Sequence, residues 1–117
     1  MLHENNVVHY DIKADNILLD FDNSKFGTDE LRVVLADFGE CRMFSTEDNE
    51  YCLRNRGTEC IKSPEMLTVT LNTKKEADQY DRRKRVGTTR TSDVWSLGCL
   101  LFEILTGEHL FLHQDWV

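Results

Sequence analysis

The sequence predicts an α+β fold, mainly helical, in a single domain of 117 residues. Two short apolar runs, at 17–19 and 32–36, are separated by a turn-rich polar segment, which is typical of two small strands joined by a loop. A first helix is predicted from Pro64, whose fixed φ suits the first helical turn, with Glu65 beside it at the positive helix end. A second helix is predicted over 91–106, where nine of the fourteen positions from 93 to 106 are apolar or cysteine.

The helix predicted over 91–106 differs from an ordinary surface helix. Thr91 or Ser92 is placed to cap its start, and Gly107 to end it through a left-handed residue. Its apolar side chains wrap most of the circumference and do not form a single stripe, which is typical of an interior helix. We therefore expect a central, buried helix.

The two remaining stretches are predicted to lie on the surface. Residues 38–58 mix polar, glycine and apolar positions with little periodicity, which predicts a long exposed segment of the kind that is often functional. Residues 72–90 form a charged excursion. Between Lys74 and Arg90 seven bases face three acids, so this part carries +4 and the remainder of the chain −11. The run "DRRKR" alone would suit nucleic acid, but aromatic residues are not interleaved with it, so we expect a solvated loop and no nucleic-acid partner.

Composition favours one soluble domain. The chain is 40% hydrophobic and 30% charged, with a net charge of −7. It has no secretory leader pattern and no apolar run of the roughly 18 to 20 residues that a membrane span needs. The four cysteines have no metal-ligand spacing and are expected to be free thiols. We expect an intracellular protein, cytoplasmic or nuclear, without a membrane partner.

The ionisable residues are concentrated in two motifs. His9-x-Asp11-x-Lys13-x-x-Asn16 lies between apolar flanks, and Asp37-Phe38-Gly39 follows 21 residues after Asn16. Transfer of a phosphoryl group needs a carboxylate to orient the attacking hydroxyl, divalent ions on the phosphate oxygens and a cation on the migrating charge. Asp11 suits the first task and Lys13 the last, whereas Asn16 and Asp37 offer the oxygen ligands that Mg²⁺ accepts.

Four motifs then occur in order: "HYDIKADN", "DFG", "GTECIKSPE" and "SDVWSLG". Together they resemble the catalytic loop, metal-binding motif, substrate-facing loop and central helix of eukaryotic protein kinases. The resemblance runs from Leu2 to about Phe111 and implies a partial kinase domain over 1–117, belonging to the C-terminal lobe. Its parts would be a catalytic loop at 7–20, a metal-binding motif at 37–39, an activation segment at 37–65, the insertion at 72–90 and the central helix at 91–106.

The resemblance also implies roles for individual residues. Asp11 and Lys13 would be catalytic, Lys13 also contacting the transferred phosphate, and Asn16 and Asp37 would hold Mg²⁺ against ATP. Leu18 resembles the position beneath the adenine ring. Structural or substrate-loop roles fall on six residues: His9, Phe38, Gly39, Thr58, Glu65 and Asp93.

Within this set the resemblance is more specific. Lys13 and Thr58 resemble serine/threonine kinases, which implies a protein substrate phosphorylated on a hydroxyl. His9 and Phe38 would stack in an internal column. Asp93 would tie the central helix to the backbone near His9, and His9 is expected to be a packed residue that does not bind metal.

One position departs from the family pattern. Tyr10 stands where protein kinases usually carry an arginine, so a phosphate on the activation segment would lack its ordinary bidentate partner. Ser45, Thr46 and Tyr51 are candidate phosphorylation sites in this segment. We nevertheless expect the segment to be ordered by other means. Ser63 replaces the commoner alanine and is expected to be a mild change.

Parts of the family pattern are missing from the sequence. It contains no glycine-rich G-x-G-x-x-G loop and no match to the strand lysine or helix glutamate that serve the ATP phosphates. The arginine that usually pairs with Glu65, and the helices that usually cover the central helix, are missing as well. We expect the chain alone to be at best marginally folded, to expose a large apolar surface that a partner protein would cover, and to have no appreciable kinase activity.

Three functions follow from these observations. The first is the catalytic core of a serine/threonine kinase, and the second is a non-catalytic, pseudokinase-like binding module derived from a kinase. A small-molecule phosphotransferase is the third, and "SPE" and "DVWSLG" argue against it. The intact set Asp11, Asn16 and Asp37 favours the first.

Overall fold

The computed structural model describes residues 2–20, 31–45, 52, 54–75 and 87–112. The predicted loop at 21–30, the run "DRRKR" and the candidate phosphorylation sites Thr46 and Tyr51 lie outside these residues. The element order is β1 (Val7–Val8), β2 (Ile17–Asp20), β3 (Arg32–Leu35), β4 (Arg42–Met43), α1 (Pro64–Lys75) and α2 (Thr91–Thr106), with 3₁₀ turns at His3–Asn5, Ala14–Asn16 and Glu59–Ile61.

Strands β2 and β3 form an antiparallel ribbon at the positions that the apolar runs predict. Ile17 pairs with Leu35 and Asp20 with Arg32, so the ribbon ends on an oppositely charged cross-strand pair. Because no third strand joins this ribbon in the described part of the chain, the side chains of Leu18 and Leu19 on its two faces are both exposed.

A second antiparallel pair joins β1 to β4, with Val7 opposite Met43 and Val8 opposite Arg42. The sequence did not predict it, because β4 lies in the mixed segment 38–58 and two residues are too few to show a strand periodicity. This pair places the catalytic-loop motif directly after β1, and the segment after Asp37-Phe38-Gly39 beside it.

Helix α1 begins at Pro64, as predicted, and extends to Lys75. The Ser63 carbonyl accepts the first helical bond from the Leu67 amide at 3.1 Å. The helix therefore runs into the stretch predicted to be a surface insertion. The excursion predicted from residue 72 is thus helical at its start, because good helix formers such as Leu71, Lys74 and Lys75 continue the helix without any breaker. The bounds of the insertion relative to the kinase pattern stay a prediction.

Helix α2 occupies Thr91–Thr106 and ends at Gly107, whose φ of 76° is the left-handed conformation expected there. The predicted cap is wrong: the N-cap is Arg90, without a side-chain cap, and the Thr91 amide instead donates to the hydroxyl of Thr89 at 3.4 Å. Thr91 and Ser92 lie inside the first turn.

The expected burial of α2 applies to one side only, whereas the other side is exposed, as expected of a helix with little chain to cover it. Ser92, Asp93 and Ser96 are buried together with Cys99 and Leu100. The opposite side exposes a stripe of five apolar residues, between 49% and 75% exposed, at Val94, Leu97, Leu101, Ile104 and Leu105. The helix thus turns a largely polar side inward, because Asp93 and Ser96 bind backbone atoms of neighbouring loops and Ser92 binds side chains there.

The main cluster of buried apolar residues consists of Val8, Tyr10, Cys52 and Met66, with Phe44 packed against it. Cys52 also forms an isolated antiparallel bridge with Thr88, and both residues are fully buried. The predictions of an exposed segment at 38–58 and a surface excursion up to 90 are therefore corrected at these two positions. They enter the core because their backbones pair with each other.

In the described part of the chain, no helix combines the length and the apolar character that crossing a bilayer requires.

Candidate functional site

The catalytic-loop motif is held to α2 by one buried carboxylate. Asp93 accepts the backbone N–H of His9 at 2.9 Å and that of Tyr10 at 2.8 Å, and His3 Nε2 lies 2.8 Å from the same carboxylate. Tyr10 has a φ of 66°, a left-handed conformation that non-glycine residues rarely adopt. These bonds hold the loop in the tight bend that precedes Asp11.

Both ring nitrogens of His9 have hydrogen-bond partners. Nε2 lies 3.1 Å from the Ala36 carbonyl, which can only accept, and Nδ1 accepts the Asp11 N–H at 3.2 Å. This pattern fits a neutral ring protonated on Nε2. The ring is fully buried and meets Phe38 edge to face, with centroids 5.0 Å apart. His9 has the environment of a packed residue that links the two motifs.

Asp11 is the centre of a connected polar cluster. Its Oδ1 accepts the Thr58 N–H at 2.9 Å and the Thr58 hydroxyl at 2.7 Å. Its Oδ2 accepts from the Asn16 amide at 3.2 Å and lies 3.1 Å from Lys13 Nζ. Lys13 Nζ also donates to Thr58 Oγ1 at 2.7 Å. Four predicted site residues are thus brought into direct contact.

The environment of Asp11 lowers the pKa of its carboxyl group. Burial by itself would raise this pKa, but the hydrogen bonds from Thr58 and Lys13, together with the charge of Lys13, outweigh it. Asp11 is therefore ionised at neutral pH, the form that can accept or orient a hydroxyl proton.

Asn16 and Asp37 approach through the backbone. The Ala36 amide donates to the Asn16 carbonyl oxygen at 2.8 Å. Asp37 is therefore the residue directly after the one that is hydrogen-bonded to Asn16. Asp37 is exposed, has a φ of 56°, and its Oδ1 accepts the Gly39 N–H at 3.1 Å. The Asn16 amide nitrogen donates to the carbonyl of Asp11 at 2.9 Å and to its carboxylate, which leaves the amide oxygen as a ligand atom.

The donor set of Asn16 and Asp37 fits a magnesium ion. An amide oxygen and a carboxylate are hard ligands, and Mg²⁺ normally keeps waters and phosphate oxygens in the rest of its shell. No group of three or more His, Cys, Asp and Glu residues is arranged to hold a metal ion within the described ranges. Leu18 lies in β2, two residues after Asn16, with its side chain about half exposed.

The substrate-loop residues are fixed by α2. Ser92 lies between Ser63 and Glu65: its hydroxyl is 2.9 Å from Ser63 Oγ and donates to Glu65 Oε1 at 3.5 Å. Ser96 donates to the Ile61 carbonyl at 3.0 Å. Ser63, expected to be a mild change, is a buried partner of Ser92, because a hydroxyl at each position satisfies the other.

The sequence reasoning missed two contacts around the site. Gly57 packs so closely on the loop that an added Cβ would lie 2.1 Å from the Tyr10 carbonyl oxygen, and its φ is 80°. Its position before Thr58 in a Gly-Thr pair was the available signal. His3 binds Asp93 from 90 residues away, and nothing in its local sequence indicates this.

Comparisons with known proteins identify the family of this chain. The family model of the protein kinase domain matches residues 1–116. A probable serine/threonine-protein kinase of Dictyostelium discoideum is 45% identical over 126 residues, covering 99% of this chain and 5% of the relative. The human ribosomal protein S6 kinase alpha-4 is 34% identical over 110 residues, covering 94% of this chain and 11% of the relative.

A third relative, mitogen-activated protein kinase 15 of Caenorhabditis elegans, is 36% identical over 121 residues, covering 94% of this chain and 20% of the relative. The chain therefore spans a fifth or less of the length of these three relatives. Because the family model matches nearly the whole chain and these relatives are 34% to 45% identical to it, the chain belongs to the eukaryotic protein kinase family.

Proposed function

We propose that this chain is the catalytic core, from the C-terminal lobe, of a serine/threonine protein kinase that transfers the γ-phosphate of ATP to a protein hydroxyl. The observation that carries the proposal is the cluster in which Asp11, Lys13 and Thr58 contact one another within 3.1 Å. Such a set supplies a base, a cation and a hydroxyl that holds both in place. Phosphoryl transfer needs this kind of positioning more than covalent chemistry.

Each residue of the cluster has a task in this proposal. Asp11, ionised, accepts a hydrogen bond from the attacking hydroxyl and orients it. Lys13 places its positive charge beside the transferred phosphoryl group. Thr58 holds the side chains of Lys13 and Asp11 in position through hydrogen bonds to both. The bond between Lys13 and Thr58 supports serine or threonine as the acceptor, because this pair resembles the serine/threonine branch of the family.

Nucleotide and metal binding are assigned to neighbouring residues. Asn16 and Asp37 would hold Mg²⁺, which supplies charge neutralisation on the phosphate oxygens when bound. Leu18 offers an exposed apolar side chain to the adenine ring. No residue of this sequence is assigned to the remaining contacts with ATP. A requirement for ATP and Mg²⁺ fits an intracellular site of action, cytoplasmic or nuclear.

The proposal is tested on the natural protein that carries this sequence, by measuring transfer of labelled phosphate from ATP to a serine-containing protein. Asp11→Asn is expected to lower kcat by about 10²- to 10⁴-fold, because it removes the base. Asp15→Asn is the matched control: Asp15 is an exposed acid in the same loop and should leave the rate within about two-fold. An Asp11→Asn protein with the wild-type rate contradicts the proposal.

A second candidate is a non-catalytic binding module derived from a kinase. The exposed apolar stripe of α2 favours it, because such a surface on a stable protein is usually covered by a partner. The intact mass of the natural protein distinguishes the two. A mass near 13.7 kDa supports the module, and a larger protein that carries a glycine-rich loop and a strand lysine supports the kinase.

A further inference from the structure

The side chain of Tyr10 is buried beneath the catalytic loop and makes two hydrogen bonds to one residue. Its hydroxyl donates to the Thr88 carbonyl oxygen at 3.2 Å and accepts from Thr88 Oγ1 at 3.2 Å. Burial raises the pKa of the Tyr10 phenol, so the hydroxyl keeps its proton at neutral pH and remains a donor.

Thr88 in turn holds the activation segment through backbone atoms. The Cys52 N–H donates to the Thr88 carbonyl at 2.8 Å, and the Thr88 N–H donates to the Cys52 carbonyl at 3.1 Å. The Thr88 carbonyl therefore accepts from both Cys52 and Tyr10, which uses the two lone pairs of one oxygen. The cluster joins three distant parts of the chain: the catalytic loop, the activation segment and the residues before α2.

The backbone of Tyr10 contacts the same segment at a second point. Gly57 packs directly against the Tyr10 carbonyl, and the next residue, Thr58, makes two hydrogen bonds to Asp11. The activation segment is thus held at two points. The Tyr10 side chain reaches Cys52 through Thr88, and the Tyr10 carbonyl packs against Gly57. A displacement at either point would carry Thr58 away from Asp11.

We propose that Tyr10 is a positioning residue that anchors the activation segment through the Thr88 backbone without a phosphate group. This inference rests on the proposed kinase function for its catalytic consequence. An arginine at this place would need an anion, because a buried charge without a partner is costly. A tyrosine needs only polar backbone and hydroxyl groups, which Thr88 supplies, so the anchored state requires no modification.

Hydrogen exchange on the natural protein tests the anchor independently of catalysis. After phosphatase treatment, the amides of Cys52 and Thr88 should remain protected in the wild-type protein. Tyr10→Phe should speed their exchange at least about five-fold, because both hydrogen bonds between the Tyr10 hydroxyl and Thr88 are lost. Thr88→Val removes only the bond from Thr88 Oγ1 and keeps the Tyr10 bond to the Thr88 carbonyl, so its effect should be smaller. Thr106→Val, which removes an exposed hydroxyl at the far end of α2, should have none.

Two outcomes overturn the proposal. One is exchange of the Cys52 and Thr88 amides at the rate of an unstructured chain once phosphate is removed. The other is unchanged exchange of these two amides in Tyr10→Phe. If Tyr10→Phe fails to fold, the exchange of the dephosphorylated wild-type protein still decides.

Steady-state kinetics test the catalytic consequence. Tyr10→Phe should raise the KM for the protein substrate several-fold and leave the KM for ATP unchanged, because the activation segment and not the nucleotide site is loosened. Combined alanine replacement of Ser45, Thr46 and Tyr51 should leave kcat/KM within about two-fold. A collapse of the rate in that triple variant overturns the phosphate-independent anchor. Absence of any kinase activity in the wild-type protein refutes the proposed function instead, and the exchange result then stands alone.

Discussion

Asp93 and His9 lie 84 positions apart, yet the Asp93 carboxylate accepts the His9 backbone N–H at 2.9 Å in a buried contact. The same carboxylate accepts the Tyr10 N–H, so one side chain at the start of α2 determines the course of the loop that carries Asp11. Both amides would otherwise be buried without a partner, and each unsatisfied group costs about 1–3 kcal/mol.

Asp93→Ala should therefore lower the free energy of unfolding of the natural protein by about 3 kcal/mol, since it leaves two buried donors unpaired. Chemical denaturation followed by circular dichroism measures this change. Glu108→Ala is the control, because Glu108 is an exposed acid just after the same helix and should shift stability by less than about 0.5 kcal/mol. Equal effects of the two variants would refute the assigned role of Asp93.

Gly57→Ala should disrupt the site through a steric clash. The added Cβ would meet the Tyr10 carbonyl oxygen at 2.1 Å, and alanine would also have to adopt a φ of 80°. We expect a loss of more than about 2 kcal/mol of stability. Gly107→Ala separates the two causes: its φ is 76° but no atom lies within 4 Å of the added Cβ, so only the backbone strain of about 1 kcal/mol remains. A Gly57→Ala protein no less stable than Gly107→Ala contradicts the clash.

The exposed ribbon offers a matched pair of leucines for testing the nucleotide site. Leu18 and Leu19 are 54% and 52% exposed, and successive residues of a strand point to opposite faces. Leu18→Ala should raise the KM for ATP about three- to ten-fold, because it removes apolar contact area with the adenine ring. Leu19→Ala, on the other face, should change it by less than two-fold. Equal changes in both variants would place the adenine elsewhere.

Alkaline pH should weaken the contribution of Tyr10 to stability. The raised pKa means that the folded state holds the phenol proton more tightly than the unfolded state, so the stabilisation is complete below the ordinary value of 10.0 and is lost as the pH rises above it. At pH 8 the wild-type protein should be about 1 kcal/mol more stable than Tyr10→Phe. Denaturation at a series of pH values should show this difference shrinking above pH 10.0; a difference that grows there would contradict the buried, protonated phenol.

The residues that make up the polar cluster could be predicted because they lie within short motifs. Asp11, Lys13 and Asn16 fall within six positions, so the local sequence alone indicates that their side chains converge. The bounds of α2 could also be predicted, since a long apolar stretch without proline ends at Gly107. Such signals can be identified in the local sequence without knowledge of tertiary contacts.

The polar inner face of α2 could not be predicted in this way. Ser92 and Ser96 are buried because Ser63 and the Ile61 carbonyl lie opposite them, and these partners are 29 and 35 residues away. Apolar patterning, which indicated burial around most of the helix, therefore did not show which side packs inward. The burial of Cys52 and Thr88 has the same origin: their backbones pair across 36 positions, and neither lies in an apolar run.

The apolar stripe of α2 leads to a prediction for the 117-residue chain expressed alone. Leu97, Leu101 and Ile104 follow the helical spacing of a face that packs, and all three are about half exposed or more. The isolated chain should therefore self-associate and melt without a sharp transition, because exposed apolar surface of this kind favours aggregation. Leu101→Lys combined with Ile104→Lys should reduce the association, as measured by sedimentation velocity, whereas Leu112→Lys, an exposed leucine outside the helix, should have little effect. A monomeric chain with a sharp cooperative melt and measurable phosphate transfer to serine would contradict this prediction.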